Sequence, residues 1–387
     1  MNSYISTAES VCEGHPDKVS DQISDTILDE ILMQDKYARV ACETFVTRGI
    51  VIVGGEITTN ASFDAIEIAR NVIRDIGYTR SEFGFHWQTC GILNVIGKQS
   101  PDISQGVDRG GAGDQGCMIG YACNETESYM PYAIELANKL TMRIDETRKN
   151  GILPYLGPDG KSQVTIKHND EGQWELEAVV ISAQHTEEIL NPLDTSNIKD
   201  EKKDEIIQKV ILSVIPKELV KPNTRFYINP TGKFVIGGPL SDTGMSGRKI
   251  IVDTYGCLVP HGGGAFSGKD PTKVDRSAAY FARYLAKNVV ASGIAKECLV
   301  QLAYIIGERQ PISFFLSTNN TSKIDERRIR DTLRELVDLT PSGIIESLNL
   351  RRPIYRKTSV YGHFGRNIPE FTWEKLDLVE KIKEKLL

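Results

Sequence analysis

The cysteine and histidine patterns typical of disulfide-rich and zinc proteins are missing from this sequence. The seven cysteines are scattered without a CxxC pair, and an odd number cannot close completely into disulfides. The six histidines form no HExxH motif and no zinc-type cluster with cysteine. We therefore expect reduced, mostly buried cysteines and no zinc site.

The chain also lacks long apolar runs and a surplus of basic residues. No apolar stretch approaches the ~20 residues of a membrane span, and residues 1–15 have no signal-peptide pattern. The 46 lysines and arginines face 52 acidic residues, a net charge of −6, whereas nucleic-acid binding needs a broad basic face. We expect a cytoplasmic protein without nucleic-acid or membrane partners. Any anionic substrate of this protein would bind in a local basic pocket.

Length and hydrophobic patterning predict several α/β domains. A chain of 387 residues corresponds to roughly two to three domains. Apolar residues every four positions from Val19 to Ile31 predict a helix, and β-branched runs at 38–47 and 50–57 predict consecutive strands, which favour mixed or antiparallel sheets. We predict three similar α/β domains at 1–100, 113–231 and 232–387, with a mobile active-site loop at 101–112.

The last block shows the predicted alternation of elements. A strand at 249–255, a helix at 274–292, a strand at 297–306 and a helix at 325–337 follow from their patterns. The tetrapeptides PDKV at 16–19 and PTKV at 271–274 each stand at a predicted helix start after a glycine-containing turn. This match favours an internal, pseudo-threefold repeat. Because the match is short, coincidence is the alternative.

The segment GHPDK at 14–18 has a composition suited to a metal-bound polyphosphate. It stands at a predicted helix start, where free N–H groups and the positive end of the dipole favour anions. His15 and Lys18 add donors, and Asp17 adds a hard oxygen ligand. A helix cap with an incidental histidine and aspartate is the alternative.

Two glycine-rich segments resemble nucleotide motifs without matching their context. The segment GAGDQG at 111–116 fits GxGxxG, but it follows a loop and no clear helix begins at Gly113. The segment 263–269 fits GxxxxGK, but Asp270 stands where a P-loop needs serine or threonine. We expect the first to approach a ligand closely, with a plain turn as the alternative. The second should cradle phosphate through its N–H groups, with Lys269, Lys273 and Asp275 beside it.

The segment 237–249 supplies further polar side chains. Its glycine-punctuated loop carries Asp242, Arg248 and Lys249, which suit hydroxyl and anion binding. Glu43 and Glu56 lie in predicted strands, where a buried carboxylate needs a cation. If those strands are exposed, both glutamates are ordinary surface residues.

Together, the segments at 14–18, 111–116 and 262–270 resemble those of methionine adenosyltransferases (S-adenosylmethionine synthetases) of the bacterial and eukaryotic type. The likeness extends from Ser10 to the segment YGHFG at 361–365. It implies three similar α/β domains and transfer of the adenosyl group of ATP to the sulfur of L-methionine by displacement at C5′. Hydrolysis of the triphosphate to phosphate and pyrophosphate would follow. It also implies a homodimer with two shared active sites at its interface, and commonly a homotetramer.

The resemblance assigns roles to individual residues. Asp17 and Asp275 would hold two Mg²⁺ ions per active site, and Glu43 would help bind an activating K⁺ ion. The expected catalytic set is His15, Lys269, Asp114 and Arg248. The expected methionine contacts are Glu56, Gln99, Asp114, Asp242 and Lys273. The expected ATP contacts are His15, Asp159, Lys161, Lys233, Phe234, Asp242, Arg248, Lys249, Ala265 and Lys269.

Two positions depart from the family pattern. Lys233 precedes Phe234 where bacterial members usually have arginine, which keeps the charge but not the planar geometry. The stretch between 105–109 and Gly111 is shorter than in many bacterial members, so we expect an active-site loop with less reach.

The expected chemistry agrees with the residue types. A thioether has no proton to lose, so the transfer needs alignment and a stabilised leaving group rather than a general base. Two other hypotheses remain open at this point. A kinase with a degenerate P-loop would yield ADP, and a nucleotide-binding module would leave ATP intact.

Overall fold

Residues 4–98, 110–169 and 173–387 are described by the structure, a computed structural model. Gln99 and most of the predicted loop at 101–112 lie outside the described residues. The strands are β1 (Tyr4–Val11), β2 (Arg39–Thr47), β3 (Ile50–Thr58), β4 (Gly91–Asn94), β5 (Gly116–Cys123), β6 (Leu156–His168), β7 (Trp174–His185), β8 (Leu190–Asn191), β9 (Asp194–Ile198), β10 (Val220–Ile228), β11 (Gly244–Met245), β12 (Glu297–Tyr304) and β13 (Ser313–Ser317). The helices are α1 (Pro16–Gln34), α2 (Ala65–Ile76), α3 (Tyr132–Lys149), α4 (Asp200–Ile206), α5 (Leu212–Val214), α6 (Ile250–Asp253), α7 (Val274–Ala291), α8 (Glu326–Leu336), α9 (Pro341–Ser347) and α10 (Val379–Leu386).

The strands form three larger sheets and one short hairpin. Their orders are β1-β6-β7-β10, β11-β2-β3-β4, β13-β12-β5 and β8-β9. Most neighbouring strands are antiparallel, whereas β10 with β7 and β4 with β3 are parallel. The prediction of a mixed α/β fold with mixed and antiparallel sheets is therefore confirmed.

The three larger sheets exchange strands in a cycle. β1 from the first sequence block pairs with β6 of the second, and β5 from the second pairs with β12 of the third. β11 from the third block pairs with β2 of the first. Each block therefore completes the sheet of the next one. The domain boundaries at 100, 112 and 231 remain predictions. The sheets extend across these positions, because each sheet includes a strand from another sequence block.

One long helix packs against each of the three sheets. α1 lies on β2, α3 lies on β1 and β6, and α7 lies on β5 and β12. In α1 the apolar stripe from Val19 to Ile31 is fully buried, as its four-residue spacing predicts. Within the described residues, no helix combines the length and apolarity that crossing a membrane requires.

Two segments differ from their predicted structure. The predicted strand at 249–255 is wrong, because it forms helix α6 and a 3₁₀ turn at Gly256–Leu258. The run of Ile250, Ile251 and Val252 is β-branched, but the buried salt bridge between Asp253 and Lys18 ties the segment to α1. The charged sequence at 197–214 predicts a helix over that range, but the helix begins only at Asp200, since residues 194–198 form β9. It also contains a π-helical segment at Ile207–Ile211.

Candidate active site

The start of α1 holds His15 and Asp17 below the surface. Pro16 is the first helical residue, and the Nδ1 atom of His15 accepts a hydrogen bond from the Asp17 N–H at 3.2 Å. Burial, and then the charge of Lys249, lower the pKa of His15 to about 3. The imidazole is therefore neutral at physiological pH. Because Nδ1 accepts, the neutral ring carries its proton on Nε2 and can donate there.

The second and third sequence blocks hold the turn before this helix. The Glu13 N–H donates to Asp145 at 3.0 Å, and the Gly14 N–H donates to the carbonyl of Pro158 at 3.0 Å. The Tyr361 hydroxyl donates to the Glu13 carboxylate at 2.8 Å. A Cβ at Gly14 would lie 2.4 Å from Pro158 atoms, so this position requires glycine. The turn that precedes the histidine is therefore held by both other blocks.

Asp17 joins the start of α1 to the segment at 245–249. Its carboxylate lies 2.6 Å from Lys249 Nζ and 3.6 Å from Arg248 Nε, and it accepts the Met245 N–H at 3.0 Å. Burial raises the pKa of Asp17, but the hydrogen bonds from Lys249 and Met245 outweigh burial and lower it overall. An ionised carboxylate and two cations predicted from the sequence therefore meet beside the histidine.

The glycine-rich segment at 261–270 lies against two strands at van der Waals distance. A Cβ at Gly262 would lie 1.6 Å from the Cys117 carbonyl oxygen, and one at Gly268 would lie 1.8 Å from the Cys42 carbonyl oxygen. Gly268 also has a φ of +80°, which L-residues rarely adopt. Close approach of the backbone therefore requires glycine at positions 262 and 268. Next to them, Lys269 Nζ lies 2.7 Å from the Asp275 carboxylate.

Lys273 has a partner that sequence analysis did not consider. Its Nζ lies 2.5 Å from Asp270, whose carboxylate also accepts the Val40 N–H at 2.6 Å and the Thr272 N–H at 2.8 Å. Burial raises the pKa of Asp270, but Lys273 and these hydrogen bonds lower it overall. Asp270 thus anchors the end of the glycine-rich segment to β2, which explains why a P-loop hydroxyl does not stand there.

A row of aspartates lies on α1, of which the sequence motifs single out Asp17 alone. They recur at every fourth position, so they share one face of the helix. Each of them accepts a main-chain N–H from the 232–387 block. The signal was present in the sequence as a four-residue spacing beside the apolar stripe. The row consists of Asp17, Asp21, Asp25 and Asp29.

Asp159 and Lys161 approach the same region from β6. The Asp159 carboxylate accepts the Gly238 N–H at 2.8 Å, and burial raises its pKa to about 6. Lys161 is exposed, and its charge contributes to the low pKa of His15. The charge of Lys161 therefore acts on the start of α1, and the roles of Asp159 and Lys161 as ATP contacts remain predictions.

Other predicted ATP contacts have different surroundings. Lys233 is paired with Glu187 at 3.0 Å on the surface, and the Phe234 N–H donates to His185 Nε2 at 3.0 Å. Ala265 contacts the neighbouring segment, since a Cβ at Gly247 would lie 2.4 Å from its Cβ. Ala265 therefore joins the two loops that carry Arg248 and Lys269, whereas Lys233 lies in an exposed ion pair.

Four predicted acidic residues are exposed. Glu43 and Glu56 point outward from the same face of the β2-β3 pair, where the register places them opposite Gly54 and Ala41 respectively. Asp114 and Asp242 are exposed, and in the described structure each carboxylate accepts a hydrogen bond from the following main-chain N–H group. Their roles, and that of Gln99 outside the described residues, remain predictions.

Comparison with known families covers most of the chain. Family models match the S-adenosylmethionine synthetase N-terminal domain at residues 3–101, the central domain at 109–234 and the C-terminal domain at 236–375. The chain belongs to the S-adenosylmethionine synthetase family. This confirms the resemblance carried by the segments at 14–18, 111–116 and 262–270.

Relatives named S-adenosylmethionine synthase align over almost their whole length. One from Helicobacter hepaticus is 54% identical over 386 residues, which is 99% of this chain and 98% of the relative. One from Wolinella succinogenes is 52% identical, covering 98% and 97%. One from Clostridium tetani is 54% identical, covering 97% and 98%. The S-adenosylmethionine synthetase fold therefore extends over all three blocks.

Proposed function

We propose that this chain is an S-adenosylmethionine synthetase (EC 2.5.1.6), which transfers the adenosyl group of ATP to the sulfur of L-methionine. The observation that carries the proposal is the meeting of His15, Asp17, Arg248 and Lys249 at the start of α1, in a chain whose relatives are named S-adenosylmethionine synthase. The triphosphate formed in this step is then hydrolysed to phosphate and pyrophosphate.

The surroundings of His15 support a role as a hydrogen-bond donor. A ring with a pKa of about 3 is a poor base near neutral pH. Attack by a thioether on C5′ needs no base, because sulfur has no proton to lose. The neutral Nε2–H donates to the triphosphate where its negative charge develops, while Lys249, Arg248 and Lys269 supply positive charge. The site thus aligns the substrates and stabilises the leaving group.

The carboxylates fit magnesium bound jointly with polyphosphate. Among the described residues, no three His, Cys, Asp or Glu side chains converge as a complete metal site. Mg²⁺ keeps several non-protein ligands and is commonly bound by one or two carboxylates together with substrate phosphates. Asp17 and Asp275, each beside a lysine, would hold two such ions. Bound magnesium supplies charge neutralisation on the phosphates.

The outward face of the β11-β2-β3-β4 sheet supports a homodimer, with a tetramer as its further assembly. Met245, Phe45, Ile52 and Leu93 lie in one row across its four strands. Met245 is 40% and Leu93 is 53% exposed, and a contiguous apolar row favours association. Glu43 and Glu56 share this face, so a second subunit would enclose the residues that we propose for K⁺ and methionine.

The remaining assignments follow from the family. Methionine would contact Glu56, Gln99, Asp114, Asp242 and Lys273. The free state of all seven cysteines is compatible with the cytoplasm, which we propose as the compartment.

One incubation tests the proposed reaction. The protein is mixed with ATP, Mg²⁺, K⁺ and L-methionine, and the nucleoside products are analysed by mass spectrometry. S-adenosylmethionine with phosphate and pyrophosphate is the expected result. ADP would instead favour a kinase, and intact ATP a binding module.

A further inference from the structure

The aspartates of α1 bind two loops from the same side. These loops, at 245–249 and 261–270, carry the proposed phosphate-binding side chains and are called the phosphate-facing segments. Asp21 accepts the Gly247 N–H at 2.8 Å, next to Arg248 and Lys249. One turn further along, Asp25 accepts the Gly268 N–H at 2.8 Å, next to Lys269. These two aspartates therefore contact the two loops from positions one helical turn apart.

Both carboxylates are themselves fixed by buried cations. Asp21 lies 3.0 Å from Lys18 Nζ, and Lys18 also pairs with Asp253. Asp25 forms a bidentate pair with Arg276 at 2.7 and 2.9 Å. The aspartates and these two cations are completely buried, so their geometry is maintained by packing as well as charge.

The two segments touch one another at small residues. A Cβ at Gly247 would lie 2.4 Å from the Cβ of Ala265, and Gly247 has a φ of +76°. Neither segment is regular secondary structure between Gly247 and Lys249 or between His261 and Lys269. Their relative placement therefore depends on the hydrogen bonds to α1 together with those to β2, where the Cys42 N–H donates to the Gly268 carbonyl at 2.9 Å and the Ser246 N–H donates to the Thr44 carbonyl at 3.0 Å.

We propose that Asp21 and Asp25 are positioning residues for the triphosphate-binding groups of the proposed reaction. The hydrogen bond from the Gly247 amide to Asp21 orients Arg248 and Lys249. The hydrogen bond from the Gly268 amide to Asp25 orients Lys269. Neither carboxylate touches substrate. This inference rests on the proposed function, because it requires that these cations stabilise a departing triphosphate.

Asp29 provides a matched control on the same helix face. Its carboxylate accepts the Tyr355 N–H at 2.9 Å and the Arg356 N–H at 2.8 Å. These amides belong to neither phosphate-facing segment. Replacing Asp29 thus removes buried hydrogen bonds from α1 without releasing the loops.

The experiment compares Asp21→Ala, Asp21→Asn and Asp29→Ala in the full chain. Asparagine keeps an oxygen for the Gly247 N–H but loses the charge that faces Lys18, whereas alanine loses both. We expect Asp21→Ala to lower kcat by about 30-fold, with the KM for methionine changed less than about threefold. Asp21→Asn should recover most of kcat, although its melting temperature falls as in the alanine variant. Asp29→Ala should lose stability with kcat close to wild type.

Binding of inorganic tripolyphosphate with Mg²⁺, measured by calorimetry, separates this inference from the proposed function. Weaker binding by Asp21→Ala, with binding by Asp21→Asn and Asp29→Ala preserved, supports positioning even if the wild type formed no S-adenosylmethionine. Equal losses in Asp21→Ala and Asp21→Asn would assign the effect to the Lys18 charge and overturn the inference. Equal losses in Asp29→Ala would assign it to general destabilisation, which also overturns it. If Asp21→Ala fails to fold, the comparison of Asp21→Asn with wild type decides, since a large loss of kcat there contradicts the inference.

Discussion

The Nζ atom of Lys249 lies 2.6 Å from the carboxylate of Asp17. Lys269 and Asp275 form a second pair of the same kind at 2.7 Å. Each pair joins a lysine proposed to bind phosphate to an aspartate proposed to bind magnesium. A magnesium-bound triphosphate would satisfy both members of each pair at once, because phosphate oxygens would accept from the lysine while the metal would bind the carboxylate.

The first prediction concerns magnesium. Asp17→Asn and Asp275→Asn each remove one hard anionic ligand, so the Mg²⁺ concentration for half-maximal activity should rise on the order of tenfold. Titration of activity at saturating ATP measures this change. Asp29→Asn serves as the control, because Asp29 contacts neither lysine. Unchanged titrations in both site variants would remove these residues from the metal site.

The second prediction concerns the protonation of His15. Because burial and Lys249 lower its pKa to about 3, its ring should remain neutral, with the proton on Nε2, from pH 8 down to pH 5. In this range the unfolded chain binds the extra proton, so His15 makes stability rise with pH up to about 6.5. NMR of ¹⁵N-labelled histidine measures the tautomer directly. A ring that titrates near pH 6.5 would contradict the prediction.

The third prediction concerns the glycine-rich segment. Gly262→Ala places a methyl group 1.6 Å from the Cys117 carbonyl oxygen, so the segment must shift and the affinity for Mg²⁺-tripolyphosphate should fall. At Gly263 an added Cβ meets nothing within 4 Å, although φ is +98°. Gly263→Ala therefore introduces backbone strain without the collision, and it should lose less affinity. Calorimetric titration of both variants compares the two effects.

Local patterns predicted the helices better than the connections between blocks. The stripe from Val19 to Ile31 forms the buried side of α1, since periodicity reports directly on burial. The pairing of β5 with β12 joins residues more than 170 positions apart, and no local pattern encodes it. The strand predicted at 249–255 failed for a related reason, because Asp253 is drawn to a distant lysine on α1.

The candidate site also contains residues that local sequence patterns predict and residues that only the fold brings together. Segment composition identified His15, Asp17, Lys249 and the glycine-rich segment, because ligand chemistry restricts residue types locally. It did not identify the partner of Lys273, which is Asp270, nor the row of aspartates on α1. Their roles depend on which main-chain N–H groups the fold brings to them, and tertiary packing decides that.

The last prediction uses the buried carboxyl of Asp159. Burial raises its pKa to about 6 from an ordinary value of 3.8, so the folded chain binds more protons than the unfolded chain between these values. Ionisation of Asp159 therefore makes wild-type stability fall as the pH rises through this window, by up to about 3 kcal/mol. Asp159→Asn cannot ionise, so its free energy of unfolding relative to wild type should be higher at pH 8 than at pH 4.5. Urea unfolding at both pH values measures the difference. At pH 8 the affinity of Asp159→Asn for ATP should be lower than that of wild type, because asparagine lacks the charge of the proposed ATP contact. A stability difference independent of pH would show that the Asp159 carboxyl has an ordinary pKa and that its burial does not oppose ionisation.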